Sequence, residues 1–208
     1  MKTILLTSAG MDIKDEILKI LPRPANQINV AYITTASKPS TDKAFVEKDR
    51  KIMEELGFNI EEIDIEGKNQ KTLFRLLKDI NIIYVQGGNT FYLLNAIRES
   101  GFDEVVKDMI AQGKIYIGVS AGSMVCGQTI ETGLWKSADR NVIGLKDLTG
   151  LNLVPFNLFV HYAPKWHSTI KHEANRSKYP VRILTDQQGF LIRNNKIDLV
   201  GTGEEIKI

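Results

Sequence analysis

The sequence predicts one doubly wound α/β domain over residues 1–208, with a mostly parallel sheet between two layers of helices. Short apolar runs alternate with amphipathic stretches through the first two thirds of the chain, and several of these runs end in glycine or small polar residues. Strands that alternate with helices are typical of a parallel sheet covered on both faces. A length of 208 residues fits one such domain.

Five apolar runs predict the strands of this first part of the chain. They cover residues 4–6, 30–33, 60–65, 80–85 and 114–117. The run at 80–85 is rich in β-branched residues, which indicates a strand buried on both faces. The run at 60–65 contains Glu61, Glu62 and Asp64, and we therefore expect it at an edge of the sheet.

Helices are predicted where apolar residues recur at helical spacing. One such stripe runs through residues 40–56 and another through 73–77. Asn89 is predicted to cap the next helix, which ends at Gly101. Asp103 is predicted to cap the helix after that.

The last third of the chain is less regular. Residues 129–150 are predicted to form a long polar loop. Apolar runs predict strands near 158–160, 181–184, 190–192 and 197–200, and a helix rich in Lys and His over about 165–177. We expect these strands to give the sheet an antiparallel C-terminal edge.

Composition limits the classes of function. The 27 basic and 25 acidic residues are interspersed and give a net charge of +2, so no nucleic-acid partner is expected. The single Cys126 fits a reducing compartment and is expected to be a small buried core residue. The first apolar run is too short for a signal peptide and no stretch approaches membrane-spanning length. We therefore expect a cytoplasmic protein without a membrane partner.

The pentapeptide Gly118-Val119-Ser120-Ala121-Gly122 lies between a predicted strand and a helix-forming segment. Gly-x-Ser-x-Gly in this context is typical of a nucleophile elbow, in which a strained turn exposes the serine at a helix N-terminus. Side chains two residues before and after the serine would clash in so tight a turn. The pattern predicts Ser120 as a nucleophile, and a plain strand-to-helix turn is the alternative.

A second glycine-bearing loop, Gln86-Gly87-Gly88-Asn89, follows the strand predicted at 80–85. Both loops are expected beyond the carboxyl ends of the parallel strands, where ligands bind in such sheets. A serine that transfers an acyl group needs two N–H donors for the oxyanion. The N–H groups of Gly88 and Ala121 are the natural pair, although this loop alone is more typical of a turn that binds nothing.

The three histidines are His161, His167 and His172. His161 follows a predicted strand and is therefore expected at the same edge as Ser120, as its general base. His167 and His172 are expected on the surface of a helix, and their spacing of five does not fit a zinc pair. No metal and no cofactor are expected.

An acidic residue should fix the tautomer of the histidine. Asp186, in the turn after a predicted strand, is the first candidate, and Asp139 in the long loop is the second. The order serine, histidine, acid disfavours an α/β-hydrolase, in which the histidine comes last.

Residues 84–94, 118–123 and 161–162 together resemble the peptidase E family, peptidase family S51, which comprises the alpha-aspartyl dipeptidases and, more distantly, cyanophycinase. The resemblance runs over essentially the whole chain. A Gly-Gly-Asn-Thr loop followed by a Gly-x-Ser-Ala-Gly elbow, with 32 positions from Gly88 to Ser120, is highly specific. The resemblance implies a flavodoxin-like, class I glutamine amidotransferase-like fold of three αβα layers, with serine in place of the amidotransferase cysteine.

The resemblance also implies roles for individual residues. Ser120 matches the family's nucleophile, His161 its base and Asp186 its third carboxylate. Gly88 and Ala121 match the amides of its oxyanion hole.

The chain departs from the family at two places. Gln86 replaces the first glycine of the usual Gly-Gly-Gly-Asn loop. Aspartyl dipeptidases recognise the substrate's aspartate with an arginine after the catalytic histidine, and this region here holds Lys171 and Arg176 in a different context. Lysine lacks the bidentate fork of arginine, which leaves the preference for aspartate open. Asn89 and Lys171 are taken as candidate substrate-binding residues.

The sequence thus predicts a monomeric or homodimeric serine dipeptidase that cleaves short peptides after the N-terminal residue, through an acyl-enzyme. An amidase or acyl hydrolase acting on another small substrate is an alternative, as is a catalytically silent binding protein of the same fold. The loop at 129–150, with Trp135 and Lys136, is expected to act as a lid.

Overall fold

Nine strands and seven α-helices form the secondary structure of residues 2–136 and 139–208, the part of the chain that this computed structural model describes. The strands are β1 Thr3–Thr7, β2 Asn29–Ile33, β3 Asn59–Ile63, β4 Ile82–Val85, β5 Ile115–Val119, β6 Asn157–Phe159, β7 Val181–Ile183, β8 Gln188–Arg193 and β9 Lys196–Gly201. The helices are α1 Lys14–Lys19, α2 Ala44–Glu55, α3 Gln70–Leu77, α4 Thr90–Ser100, α5 Phe102–Ala111, α6 Ala121–Met124 and α7 His167–Ala174.

The sheet is built around five parallel strands. Its order is β3-β2-β4-β5-β1-β8-β9, and every pair from β3 to β1 is parallel. β8 pairs antiparallel with β1 and β9, which confirms the antiparallel C-terminal edge. β3 lies at the opposite edge, as its acidic residues predicted. β6 and β7 do not join this sheet and form a separate parallel pair, so the expectation of an antiparallel edge is wrong for these two strands.

Helices cover both faces of the sheet. Along β1, β2, β4 and β5 the buried side chains alternate between two clusters, because successive residues of a strand point to opposite faces. Ile17 of α1 and Met53 of α2 pack with Leu5 in one cluster. Residues of α3, α4 and α5 pack with Leu6 in the other. The prediction of three layers is confirmed.

Three neighbouring strands end at one edge of this sheet. β4, β5 and β1 lie side by side and run in the same direction, so the residues that follow them come together. These residues are Gln86, Ser120 and Ser8. β8 runs the opposite way beside β1, which places the turn before it, containing Asp186, at the same edge.

The predicted helix caps have different outcomes. Asn89 is the N-cap of α4, where its side chain accepts a hydrogen bond from the N–H of Tyr92 at 2.9 Å. Asp103 is not the cap of α5, so that prediction is wrong. Gly101, with φ of 69°, ends α4 and also begins α5, which leaves Asp103 in the first turn. Its carboxylate there still interacts favourably with the positive end of the helix dipole.

The segment at 129–150 contains more local structure than a plain loop. Residues Glu131–Trp135 form a 3₁₀ helix, and Thr129 pairs with Thr149 in an antiparallel bridge. Residues 137 and 138 of this segment lie outside the described residues, and its role as a lid stays a prediction. In the part of the chain that is described, every helix is too short or too polar to cross a membrane.

Candidate active site

Ser120 occupies the sharp turn between β5 and α6. Its φ of 47° and ψ of −108° are strained for a residue with a side chain. Hydrogen bonds hold the turn: the N–H of Ser120 donates to the carbonyl of Thr7 at 3.0 Å, and the carbonyl of Ser120 accepts from Ser123 and Met124 at 2.9 Å each. The fold therefore stabilises a strained serine, as the elbow motif predicted.

The two glycines of the elbow have no room for a side chain. A Cβ at Gly118 would lie 2.5 Å from the carbonyl oxygen of Gly122, and a Cβ at Gly122 would lie 2.1 Å from that of Val85. The first clash lies within the turn, as predicted. The second is with the neighbouring strand β4, so Gly122 is also needed for packing against the sheet.

A hydrogen-bonded chain joins Ser120, His161 and Asp186. Nε2 of His161 lies 2.9 Å from Oγ of Ser120, and Nδ1 of His161 lies 2.6 Å from Oδ1 of Asp186. The hydrogen bond from His161 lowers the pKa of Asp186 to about 2. Because an ionised Asp186 can only accept, Nδ1 carries a proton and Nε2 is free to accept the proton of Ser120. This is the arrangement required of a nucleophile, base and acid.

Ser8 also takes part in these hydrogen bonds. Its buried hydroxyl donates to Oδ1 of Asp186 at 2.7 Å and accepts the backbone N–H of His161 at 2.8 Å. His161 has a φ of 54°, so this contact also supports an unusual backbone conformation. Ser8 was missed in the sequence, where its only signal is a small polar residue after the first strand.

Two backbone N–H groups are available beside Ser120. Ala121 begins α6, and Gly88 lies in a loop that passes so close that a Cβ on Gly87 would be 3.1 Å from Cβ of Ser120. Within residues 2–136 and 139–208, neither Gly88 nor Ala121 donates its N–H to a protein acceptor. Gly88 has a φ of 141°, and a Cβ there would lie 2.1 Å from the carbonyl oxygen of Ala36.

Two cavities meet at Ser120 and His161. The larger, of about 510 Å³, is lined in part by Lys136, Asp139 and Arg140. The smaller, of about 310 Å³, is bounded in part by Ala9, Phe45, Lys48, Asp49 and Gln86. A substrate that reaches across Ser120 can thus place one part in each cavity.

The larger cavity contains groups of both charges. Lys136 donates to the carbonyls of Val160 and His161, and burial lowers the pKa of Lys136 to about 8. The carboxylate of Asp139 accepts the N–H of Thr90 at 3.2 Å, and burial raises the pKa of Asp139. Asp139, the second candidate for the acid, is hydrogen-bonded to Thr90, whereas Asp186 is bonded to His161.

The two candidate substrate-binding residues are placed differently. Asn89 lines the larger cavity, and its Nδ2 donates to the carbonyl of Arg140 at 2.7 Å. Lys171 is exposed on α7 and lines neither cavity in the described part of the chain. Lys136 and Arg140 supply the positive charge at the larger cavity instead.

Cys126 is buried in the core, and this burial raises the pKa of its thiol to about 12. The prediction of a small buried core residue is confirmed. Across residues 2–136 and 139–208, no three side chains of His, Cys, Asp or Glu are grouped in a way that could hold a metal ion.

In comparisons with known proteins, this chain matches peptidases over nearly its whole length. The model of peptidase family S51 matches residues 4–207. An uncharacterized peptidase of Pasteurella multocida is 33% identical, over 93% of this chain and 95% of its own. A protein of Nostoc sp. named peptidase E is 29% identical, over 98% of this chain and 80% of its own. The crystal structure of a candidate peptidase E protein from Listeria monocytogenes EGD-e matches with a TM-score of 0.87 at 27% identity, over 98% of this chain and 100% of that one.

Proposed function

Because the chain belongs to peptidase family S51, we propose that it hydrolyses short peptides after their N-terminal residue, with Ser120 as the nucleophile. The observation that carries this proposal is the set of hydrogen bonds from Ser120 through His161 to Asp186, next to two N–H groups that have no protein acceptor among the described residues. An acyl transfer needs a nucleophile, a base and a place for the oxyanion, and these groups can supply all three.

The reaction begins when Oγ of Ser120 attacks the carbonyl carbon of the substrate's first residue and its proton passes to Nε2 of His161. The N–H groups of Gly88 and Ala121 stabilise the negative oxygen of the tetrahedral intermediate. His161 then gives its proton to the leaving amine, which departs with the rest of the peptide. Asp186 holds the imidazole in the required tautomer throughout. Water, activated by His161, releases the acyl group by the same steps in reverse.

The larger cavity suits the N-terminal residue of such a peptide. A free N-terminus carries an ammonium group, and the half-buried carboxylate of Asp139 offers it an opposite charge. Lys136 and Arg140 line the same cavity and suit an acidic side chain. We therefore propose that an acidic first residue is preferred, and that Lys136 and Arg140 take the part expected of Lys171.

A panel of Xaa-p-nitroanilides, with Asp, Glu, Lys, Leu and Ala as Xaa, tests this proposal. We expect the fastest release from Asp or Glu and none above background from the Ser120→Ala variant. Release from another residue that still depends on Ser120 would overturn only the proposed preference. Full activity of the Ser120→Ala variant would overturn the proposed function.

A further inference from the structure

Gln86 is fully buried where β4 leads into the Gly87-Gly88 loop. Its side chain turns back on its own backbone, so that Oε1 accepts the N–H of Gly87 at 2.7 Å. This contact fixes the peptide between Gln86 and Gly87.

The orientation of the Gln86 amide is set by its neighbours. Nε2 donates to the hydroxyl of Tyr32 at 2.7 Å and to Oδ2 of Asp49 at 3.1 Å. The Tyr32 hydroxyl donates to the carbonyl of Val46 at 2.7 Å and is therefore the acceptor of the bond from Gln86. Since Nε2 faces two acceptors and Oε1 faces a donor, only one orientation of the amide satisfies every group.

Asp49, which also lines the smaller cavity, anchors this amide. It lies on α2, is 3% exposed, and accepts hydrogen bonds from the Tyr84 hydroxyl at 2.6 Å and the Met11 N–H at 3.3 Å. A buried carboxylate is costly unless donors surround it, and Asp49 has three with Gln86. The fit is tight, since a Cβ on Gly10 would lie 2.2 Å from Oδ2 of Asp49.

The peptide between Gly87 and Gly88 lies between two fixed neighbours. Gln86 holds the peptide before it, and the peptide after it is held because the Asn89 N–H donates to the carbonyl of Ala36 at 2.8 Å. Two consecutive glycines would otherwise leave this segment with unusual conformational freedom. The N–H of the middle peptide is that of Gly88, one of the two donors beside Ser120 that bond to no acceptor in the described part of the chain.

From these contacts we infer that Gln86, oriented by Asp49, is a positioning residue for the oxyanion donor at Gly88. The inference rests on the proposed function. Gln86 does not touch the substrate's carbonyl. It acts through the backbone, by aligning the Gly88 N–H with the place where negative charge develops. Such alignment matters most in the transition state, where a misplaced donor lowers kcat more than it raises KM.

The Gln86→Met variant tests the inference, because methionine has a similar length, cannot donate to Asp49, and offers the Gly87 N–H only a weakly accepting sulfur. We expect kcat to fall at least tenfold with KM changed less than threefold. A peptide aldehyde, which forms a charged tetrahedral adduct with a serine, should bind more weakly by about the same factor as kcat falls.

Gln128→Met is the matched control. Gln128 is half-buried, and its Nε2 donates to the carbonyl of Val154 at 3.0 Å. Gln128 is not among the described residues that line the two cavities at Ser120. This variant should keep its kcat and its affinity for the aldehyde. If Gln86→Met changes neither quantity more than Gln128→Met does, the inference is overturned. The proposed function fails separately, if Ser120→Ala retains turnover.

Exchanging the amide of Gln86 with the carboxylate of Asp49 provides a second test. This test does not require the buried site to accommodate a methionine side chain. Gln86→Glu places a carboxylate against that of Asp49 and should lower kcat further than Gln86→Met does. In the double variant Gln86→Glu, Asp49→Asn, the new amide can donate to the new carboxylate, which still accepts the Gly87 N–H. We expect the double variant to regain at least part of the lost kcat. A double variant no more active than Gln86→Glu would count against a directed role of this pair.

Discussion

Ser8 ties the histidine of the site to its acid, and it belongs to neither motif that identified the site. Its hydroxyl bridges Asp186 and the backbone of His161. Removing a hydrogen bond to a charged group costs about 1.5–3 kcal/mol, and here the loss would also loosen the imidazole. For Ser8→Ala we expect a stability loss of about 1.5–3 kcal/mol and a fall in kcat of about tenfold, measured by urea unfolding and steady-state kinetics.

Ser100→Ala is the control for this experiment. Ser100 is 3% exposed, and its hydroxyl donates to the carbonyl of Ala96 within α4. The control should leave kcat unchanged. If kcat of Ser8→Ala is also unchanged, Ser8 has no part in holding the histidine.

Asp186 gives the folded state a pH dependence of known sign. Its pKa is lowered from 3.8 to about 2, first by the hydrogen bond from His161. A carboxyl group whose pKa is lowered in the folded protein stabilises the fold at any pH above its pKa in the unfolded chain. This contribution disappears as the pH falls through its pKa in the folded protein. Asp186→Asn should therefore be less stable than the wild type at pH 7, with a difference that shrinks between about pH 4 and pH 2. A difference that is constant over this range would contradict the assignment.

Lys136 should make the preference for acidic substrates depend on pH. Because burial lowers its pKa to about 8, the charge of Lys136 is present below that pH and lost above it. KM for Asp-p-nitroanilide should rise as the pH passes through 8, relative to KM for Ala-p-nitroanilide. Lys136→Met should remove most of this difference. A ratio of the two KM values that is flat with pH, and unchanged in the variant, would exclude Lys136 from substrate recognition.

At the scale of single elements, the turn from β5 to α6 depends on packing against β4. A Cβ on Gly122 would meet the carbonyl oxygen of Val85 at 2.1 Å, and backbone atoms cannot move aside as a flexible side chain can. Forcing extra volume into a packed site costs about 1–3 kcal/mol or more. We expect Gly122→Ala to lose about 3 kcal/mol of stability, as measured by chemical unfolding.

The variant Gly113→Ala shows how much stability is lost through backbone strain alone, without the steric clash expected at Gly122. Gly113 has a φ of 91°, and a Cβ added there would meet no described atom within 4 Å, so alanine at this position introduces only backbone strain. Gly113→Ala should cost about 1 kcal/mol. Equal losses in the two variants would show that the contact with Val85 is not what requires glycine at Gly122.

At the scale of the whole molecule, the fold is predictable because its signals are local. The run at 80–85 is apolar on both faces and becomes a central strand, whereas the acidic run at 60–65 becomes an edge strand. The pairing of β6 with β7 could not be predicted, since two three-residue strands carry too little pattern to choose a partner. Asp103 was misplaced because a one-residue connection at Gly101 leaves no separate cap position.

The site is predictable only as far as its residues carry motifs or follow strands. Ser120 and Gly88 lie in glycine patterns, and His161 and Asp186 follow strands that end at one edge. Contacts between distant segments have no such signal. Ser8 and His161 are 153 positions apart, and their bond depends on the finished sheet. For the same reason Lys136 could not be recognised from sequence as the lysine at the cavity in place of Lys171.

The measurement that tests the catalytic role of Ser120 most directly is mass spectrometry of the protein after incubation with a fluorophosphonate. We expect a single adduct on Ser120, formed at least a hundredfold more slowly in His161→Gln and absent in Ser120→Ala. An adduct that forms equally fast in His161→Gln, or no adduct on Ser120 at all, would contradict the proposal that His161 activates Ser120 as the nucleophile.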